Sequence, residues 1–148
     1  AIYNRGNAYL EKGETDRAIT DYSLALTLDP KNWLALNNRG CAYKSRGDYD
    51  RAIDLLTTAA GRRADVPQPF ELLAEAYQGV GQPQQAINAW QQAVTVAPGN
   101  ATYHVRLGDA LADLGPDDEA IAAYRQALAI NPSNEPARLG LERLGVEP

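Results

Sequence analysis

GCAYKSRGDYDRAIDLLTTAA, residues 40–60, holds two helical patterns joined by a glycine turn. Gly40, Ala52 and Ala59 are small, Tyr43 and Leu56 are bulky, and Gly47-Asp48 separates the two halves. The pattern returns every 34 residues along the chain. Gly13, Gly47, Gly81 and Gly115 mark the turns, while Gly6, Gly40, Ala74 and Gly108 keep the first helix of each unit narrow. In the second helix Ala18-Ile19, Ala52-Ile53, Ala86-Ile87 and Ala120-Ile121 recur. A ring or large aliphatic group follows at Tyr22, Leu56, Trp90 and Tyr124, then alanine at Ala25, Ala59, Ala93 and Ala127. Two helices approach closely only where side chains are small, and the bulky residue one turn away fills the remaining volume. A helix-turn-helix unit of this length leaves an apolar face uncovered, so the copies must stack into a solenoid.

Each turn glycine falls just past a first helix, where a left-handed backbone costs glycine little. Asp16, Asp50 and Asp117-Asp118-Glu119 then place acids at the positive start of the following helix, and Pro83 suits a first turn by its fixed φ. Asp29-Pro30, Ala97-Pro98 and Asn131-Pro132 end the second helices. The pattern predicts nine helices and no strand, in units 1–32, 33–66, 67–100 and 101–134 of one domain. A terminal helix over about 135–145 turns Ala137, Leu141 and Leu144 onto the last unit. Ala64 stands where the other units have proline, and residues 61–69 differ from the other junctions, which predicts a variant packing angle or a softer joint.

At 148 residues the chain is long enough for one continuous core. Cys41 is the only cysteine, so no disulfide forms within the chain. No apolar run approaches the roughly 18 residues that span a bilayer, and the chain reads as soluble. It has no methionine and opens inside a helical pattern, which reads as a fragment of a longer protein. Abundant alanine and the preference for arginine over lysine point to a bacterial source, in the cytoplasm or the periplasm.

Small residue, Ala-Tyr, Gly, Ala-Ile, aromatic, Ala and Pro at this spacing resemble the tetratricopeptide repeat over practically the whole chain, as four repeats and a terminal helix. The resemblance implies an all-α fold, a right-handed superhelical solenoid of antiparallel helix pairs. It also implies that the first helices line a concave groove that holds a segment of a partner protein. Repeats that grip the C-terminal carboxylate of chaperones use two asparagines with converging lysine and arginine. Asn7 and Asn38 match those asparagines, but Tyr3, Gln68 and Leu72 stand where the cations belong, so that activity is not expected.

The groove can be sought in the sequence. On the first helix Ile2, Gly6 and Tyr9 form one stripe, and Asn4, Asn7 and Glu11 form another displaced by two residues, about 200° around a helix. The first is expected to pack and the second to stay free. Carried onward, the free stripe holds Asn37, Asn38, Cys41 and Lys44, then Glu71, Leu72, Glu75 and Gln78, then Val105, Arg106, Asp109 and Asp113. Amide side chains both donate and accept, so a row of asparagines suits the backbone of an extended peptide. This row is similar to the asparagine ladder of some family grooves, including that of the O-linked N-acetylglucosamine transferases. The alternative reading is an exposed face kept polar for solubility.

Charge divides unevenly. The net charge of −5 arises from +1 over residues 1–66 and −6 over residues 67–148. Acids on the later part of the stripe favour a basic partner segment and disfavour nucleic acid. His104 shares the column of Ile2, Leu36 and Phe70 and reads as a packing or surface residue rather than a base. Cys41 has no nearby histidine or second cysteine and reads as a small filler, with an accessible thiol as the alternative. Gly79-Val80-Gly81 is a turn rather than a phosphate loop, because no strand precedes it and no Lys-Ser or Lys-Thr follows. The expectation is therefore a protein-binding scaffold, not an enzyme, without cofactor, metal or membrane insertion. A docking region of a larger enzyme and a self-assembling module are the alternatives.

Overall fold

The structure, a computed structural model, describes residues 1–148. Its nine helices are α1 (Ile2–Glu11), α2 (Thr15–Leu28), α3 (Trp33–Ser45), α4 (Tyr49–Arg62), α5 (Gln68–Gly79), α6 (Pro83–Val96), α7 (Ala101–Leu114), α8 (Asp117–Ile130) and α9 (Glu135–Arg143), with no strand.

Local chemistry sets the turns. After α1, α3 and α5 the chain enters the left-handed region at Gly13, Gly47 and Gly81, with φ of 76°, 80° and 74°. The next amide then reaches back to the helix, Glu14 to the Tyr9 carbonyl at 2.8 Å, Asp48 to Tyr43 at 2.9 Å and Gln82 to Tyr77 at 2.9 Å. This closure satisfies a carbonyl that the helix end leaves open. The fourth turn departs from the pattern because the corresponding position is Pro116, which has no N–H to give. There α7 runs on to Leu114 and is capped by Gly115 itself.

Helix starts are as regular. Asn32, Asn100 and Asn134 sit at one column and accept bonds from the amides of Ala35, Tyr103 and Ala137. The second junction has Val66 in that column, so α5 starts at Gln68 without a side-chain cap. Arg63 folds onto Asp65 with bonds of 2.8 and 3.0 Å and lies 5.1 Å from the centre of the Trp33 ring. The departure of residues 61–69 is thus visible in how α5 begins, and α4 still packs directly on α5.

The small-large alternation builds the core. A Cβ at Gly40 would come within 2.7 Å of Leu56, and one at Gly108 within 2.7 Å of Tyr124. Tyr22, Leu56, Trp90 and Tyr124 are among the largest fully buried side chains. Burial continues without a break from Ile19 to Leu141. Each helix packs on the next along the chain, and in addition α3 touches α1 and α5, while α7 touches α9. The even-numbered helices make no comparable contacts with one another. Odd-numbered helices therefore crowd the inner wall of the curve and even-numbered helices form its outer wall.

Candidate functional site

The polar stripe of the odd-numbered helices lies on this inner wall. Asn4, Glu11, Gln78, Arg106 and Asp113 are exposed, and Asn7, Asn38, Cys41, Lys44, Glu71, Glu75 and Asp109 are half-buried. Two residues depart from the expected free stripe. Asn37 and Val105 are each only 6 % exposed. They share one column, at the edge of the stripe, and a helix considered alone does not show which edge its neighbour covers. Asn37 donates to the Asn38 side chain at 3.3 Å, and its own side-chain oxygen is buried without a partner.

The half-buried polar groups bond to one another across the repeat junctions. Asn38 Nδ2 donates to Asn7 Oδ1 at 3.0 Å and to the Tyr3 hydroxyl at 2.9 Å, joining α3 to α1. Lys44 pairs with Glu75, joining α3 to α5. The Tyr103 hydroxyl donates to Glu71 at 2.8 Å, joining α7 to α5. Arg143 lies 3.7 Å from Asp109, joining α9 to α7. A polar tie therefore spans every junction along the inner wall.

Tyrosines of the second helices anchor the two ends of this ladder. Tyr22 donates to Asn7 and Tyr124 to Asp109, each at 2.7 Å, and the two pairs occupy the same columns in the first and last repeats. Burial pushes the Tyr22 phenol up to about 12. Burial raises the Tyr103 and Tyr124 phenols as well, assisted by the acceptor carboxylates Glu71 and Asp109. These hydroxyls were not among the candidate residues. The available signal was tyrosine instead of phenylalanine in a buried column, since a buried hydroxyl needs an acceptor.

Beyond Gln78 the wall opens into hollows. One of about 520 Å³ has Gln78, Gln82, Ala110 and Asp113 in its lining, and another of about 360 Å³ has Asp109, Asp113, Tyr124 and Arg143. Two further reactive groups are His104 and Cys41. His104 is buried, with its Nε2 donating to the Pro98 carbonyl at 2.9 Å. Burial pushes the Cys41 thiol up, away from the thiolate. No three His, Cys, Asp or Glu side chains gather as a metal-ligand set, and no helix is long and apolar enough to cross a membrane.

Residues 35–69 and 71–135 match family models described as tetratricopeptide repeat, and residues 6–45 match one described as TPR repeat. Together the matches run from residue 6 to residue 135. Among solved structures, MamA is similar with a TM-score of 0.83 and 28% identity, over 95% of this chain and 85% of that one. A MamA spanning residue 41 to the end, from Desulfovibrio magneticus RS-1, has a TM-score of 0.82 and 25% identity, over 90% of this chain and 76% of that one. YrrB, described as a TPR protein with an unusual peptide-binding site, has a TM-score of 0.80 and 23% identity, over 97% and 76%. No curated protein sequence matches the chain.

Proposed function

The chain belongs to the tetratricopeptide repeat family, and from that premise we propose that this protein-interaction scaffold binds an extended segment of a partner along its inner wall. The observation that supports this reading most directly is the ladder of ties from Tyr3 to Arg143. Side chains already held by a neighbouring repeat lose little freedom when a ligand arrives, so their remaining donors and acceptors are preorganised. Asn4 and Gln78 stand exposed beside them with both amide functions open. A peptide backbone bonded along such a wall gains affinity without a demand for particular side chains.

Charge sets the direction. The hollows near the C-terminal end are lined by Asp109 and Asp113, in the half of the chain with a net charge of −6. A basic stretch of the partner fits there, and the amide-rich stretch near α1 and α3 takes the neutral part. YrrB, which shares the fold, is described as having an unusual peptide-binding site, so a peptide is one kind of ligand this fold can take.

The test compares the parent with Asn38→Ala combined with Glu75→Ala as baits for source-cell proteins. A protein retained by the parent and released by the variant, at unchanged helix content, is the expected result. Equal retention of the same protein by both refutes the inner wall as the binding surface.

A further inference from the structure

Arg5 and Arg39 occupy the same column one repeat apart, and so do Asp21 and Leu55. In the first repeat Arg5 grips Asp21 through two parallel bonds, Nε to Oδ2 at 2.7 Å and Nη2 to Oδ1 at 2.8 Å. Asp21 is 4% exposed, and the Arg5 guanidinium holds its carboxyl below the usual range. The third and fourth repeats fill these columns with Leu73 and Ala89, then Leu107 and Ala123, all buried. The second repeat alone has the arginine without the acid.

Arg39 makes no ion pair. Its Nε is closed off from solvent without a partner, and its one bond is a stretched donation from Nη2 to the Tyr43 hydroxyl at 3.5 Å. Beside it lies a hollow of about 460 Å³ lined by Arg39, Tyr43, Arg51, Asp54 and Leu55. Three guanidiniums, those of Arg39, Arg46 and Arg51, surround the Tyr43 ring at 5.5, 5.8 and 5.6 Å from its centre. Arg46 is matched by Asp16 and Arg51 by Asp48. Arg39 is the unmatched charge of the cluster.

We infer that this hollow is a second docking site, which takes a side-chain carboxylate from an acidic segment of a partner protein. The Arg5 pair shows that an arginine in this column takes a carboxylate where one is supplied, and in the second repeat the matching column, with Leu55, supplies none. With Nε covered, the terminal nitrogens form the edge that meets the ligand, and a carboxylate matches two such donors at once. Asp54, in the same lining, opposes any anion, but it opposes a doubly charged phosphate more strongly than a singly charged carboxylate, so the carboxylate is the favoured ligand of the two. The site is separate from the inner wall, since Arg39 lies about 200° around α3 from Cys41. It also lies in the half of the chain without an acidic excess. The inference does not depend on the inner wall being a peptide groove.

The probe is a labelled short peptide of alternating Glu and Ser, compared with its Gln and Ser counterpart by fluorescence anisotropy. The parent is expected to prefer the Glu peptide. Arg39→Leu, which installs the residue found in the same column of the third and fourth repeats, is expected to weaken binding roughly tenfold or more. Leu55→Asp supplies the missing acid from within, occupies Arg39 as Asp21 occupies Arg5, and is expected to weaken it equally. Arg125→Leu, which removes an exposed guanidinium outside the hollow, leaves this affinity unchanged. No preference of the parent for the Glu peptide overturns the inference, and so does undiminished binding by Arg39→Leu. Should Leu55→Asp not fold, the Arg39→Leu result decides.

Discussion

Tyr124 shows how closely the contacts of this chain are set. Its ring lies where a Cβ on Gly108 would intrude, at 2.7 Å, and its hydroxyl reaches Asp109 at 2.7 Å. Tyr124→Phe keeps the ring and removes the bond, leaving the half-buried Asp109 carboxylate short of one donor. The expected cost is about 1 kcal/mol, read as a lower urea midpoint with an unchanged slope. Gly108→Ala presses on the ring itself and is expected to cost about 1 to 3 kcal/mol. Gly61→Ala is the contrast. It lies within α4 with nothing within 4 Å of the added Cβ, so the better helix former is expected to stabilise by up to about 1 kcal/mol. Opposite signs for the two glycine substitutions in thermal unfolding would support this account, and equal signs would refute it.

The helices owe their boundaries to residues within a few positions of them. Asn100 accepts from the Tyr103 amide at the start of α7 through its side chain at 3.3 Å and its carbonyl at 3.2 Å, and Asn100→Ala removes the side-chain cap and leaves the carbonyl. A loss of about 1 kcal/mol is expected, with faster amide exchange in the first turn of α7. Such devices were legible beforehand because they are local. The turn glycines and the helix-ending prolines could be read residue by residue, and the structure places Gly13, Gly47 and Gly81 in the left-handed region. The asparagine caps were legible in the same way but were not recognised. Val66 in their column, more than the missing proline at Ala64, accounts for the unusual start of α5.

Across the whole molecule the buried tyrosines link stability to pH. Tyr22 is raised from an ordinary value of 10.0 to about 12, and Tyr103 and Tyr124 are raised as well. In the unfolded chain these phenols ionise near 10, while in the folded chain they stay neutral, so their contribution is complete below that pH and is lost as pH rises above it. Unfolding midpoints are therefore expected to hold steady toward pH 10 and to fall beyond it. A variant with Phe at both Tyr22 and Tyr124 should show a shallower fall, and an unchanged alkaline profile would exclude these residues as its cause. The stacked helices and the spacing of small and large residues were determined by the sequence alone, because both follow from a period that repeats within one chain. The tertiary structure decided which polar side chains stay free and which bond across a junction. Asn37 turned inward, Asn38 reached Asn7 and Lys44 found Glu75, the last two through meetings of residues some thirty positions apart. Those meetings depend on how one repeat is set against the next, and no pattern within a single helix specifies that.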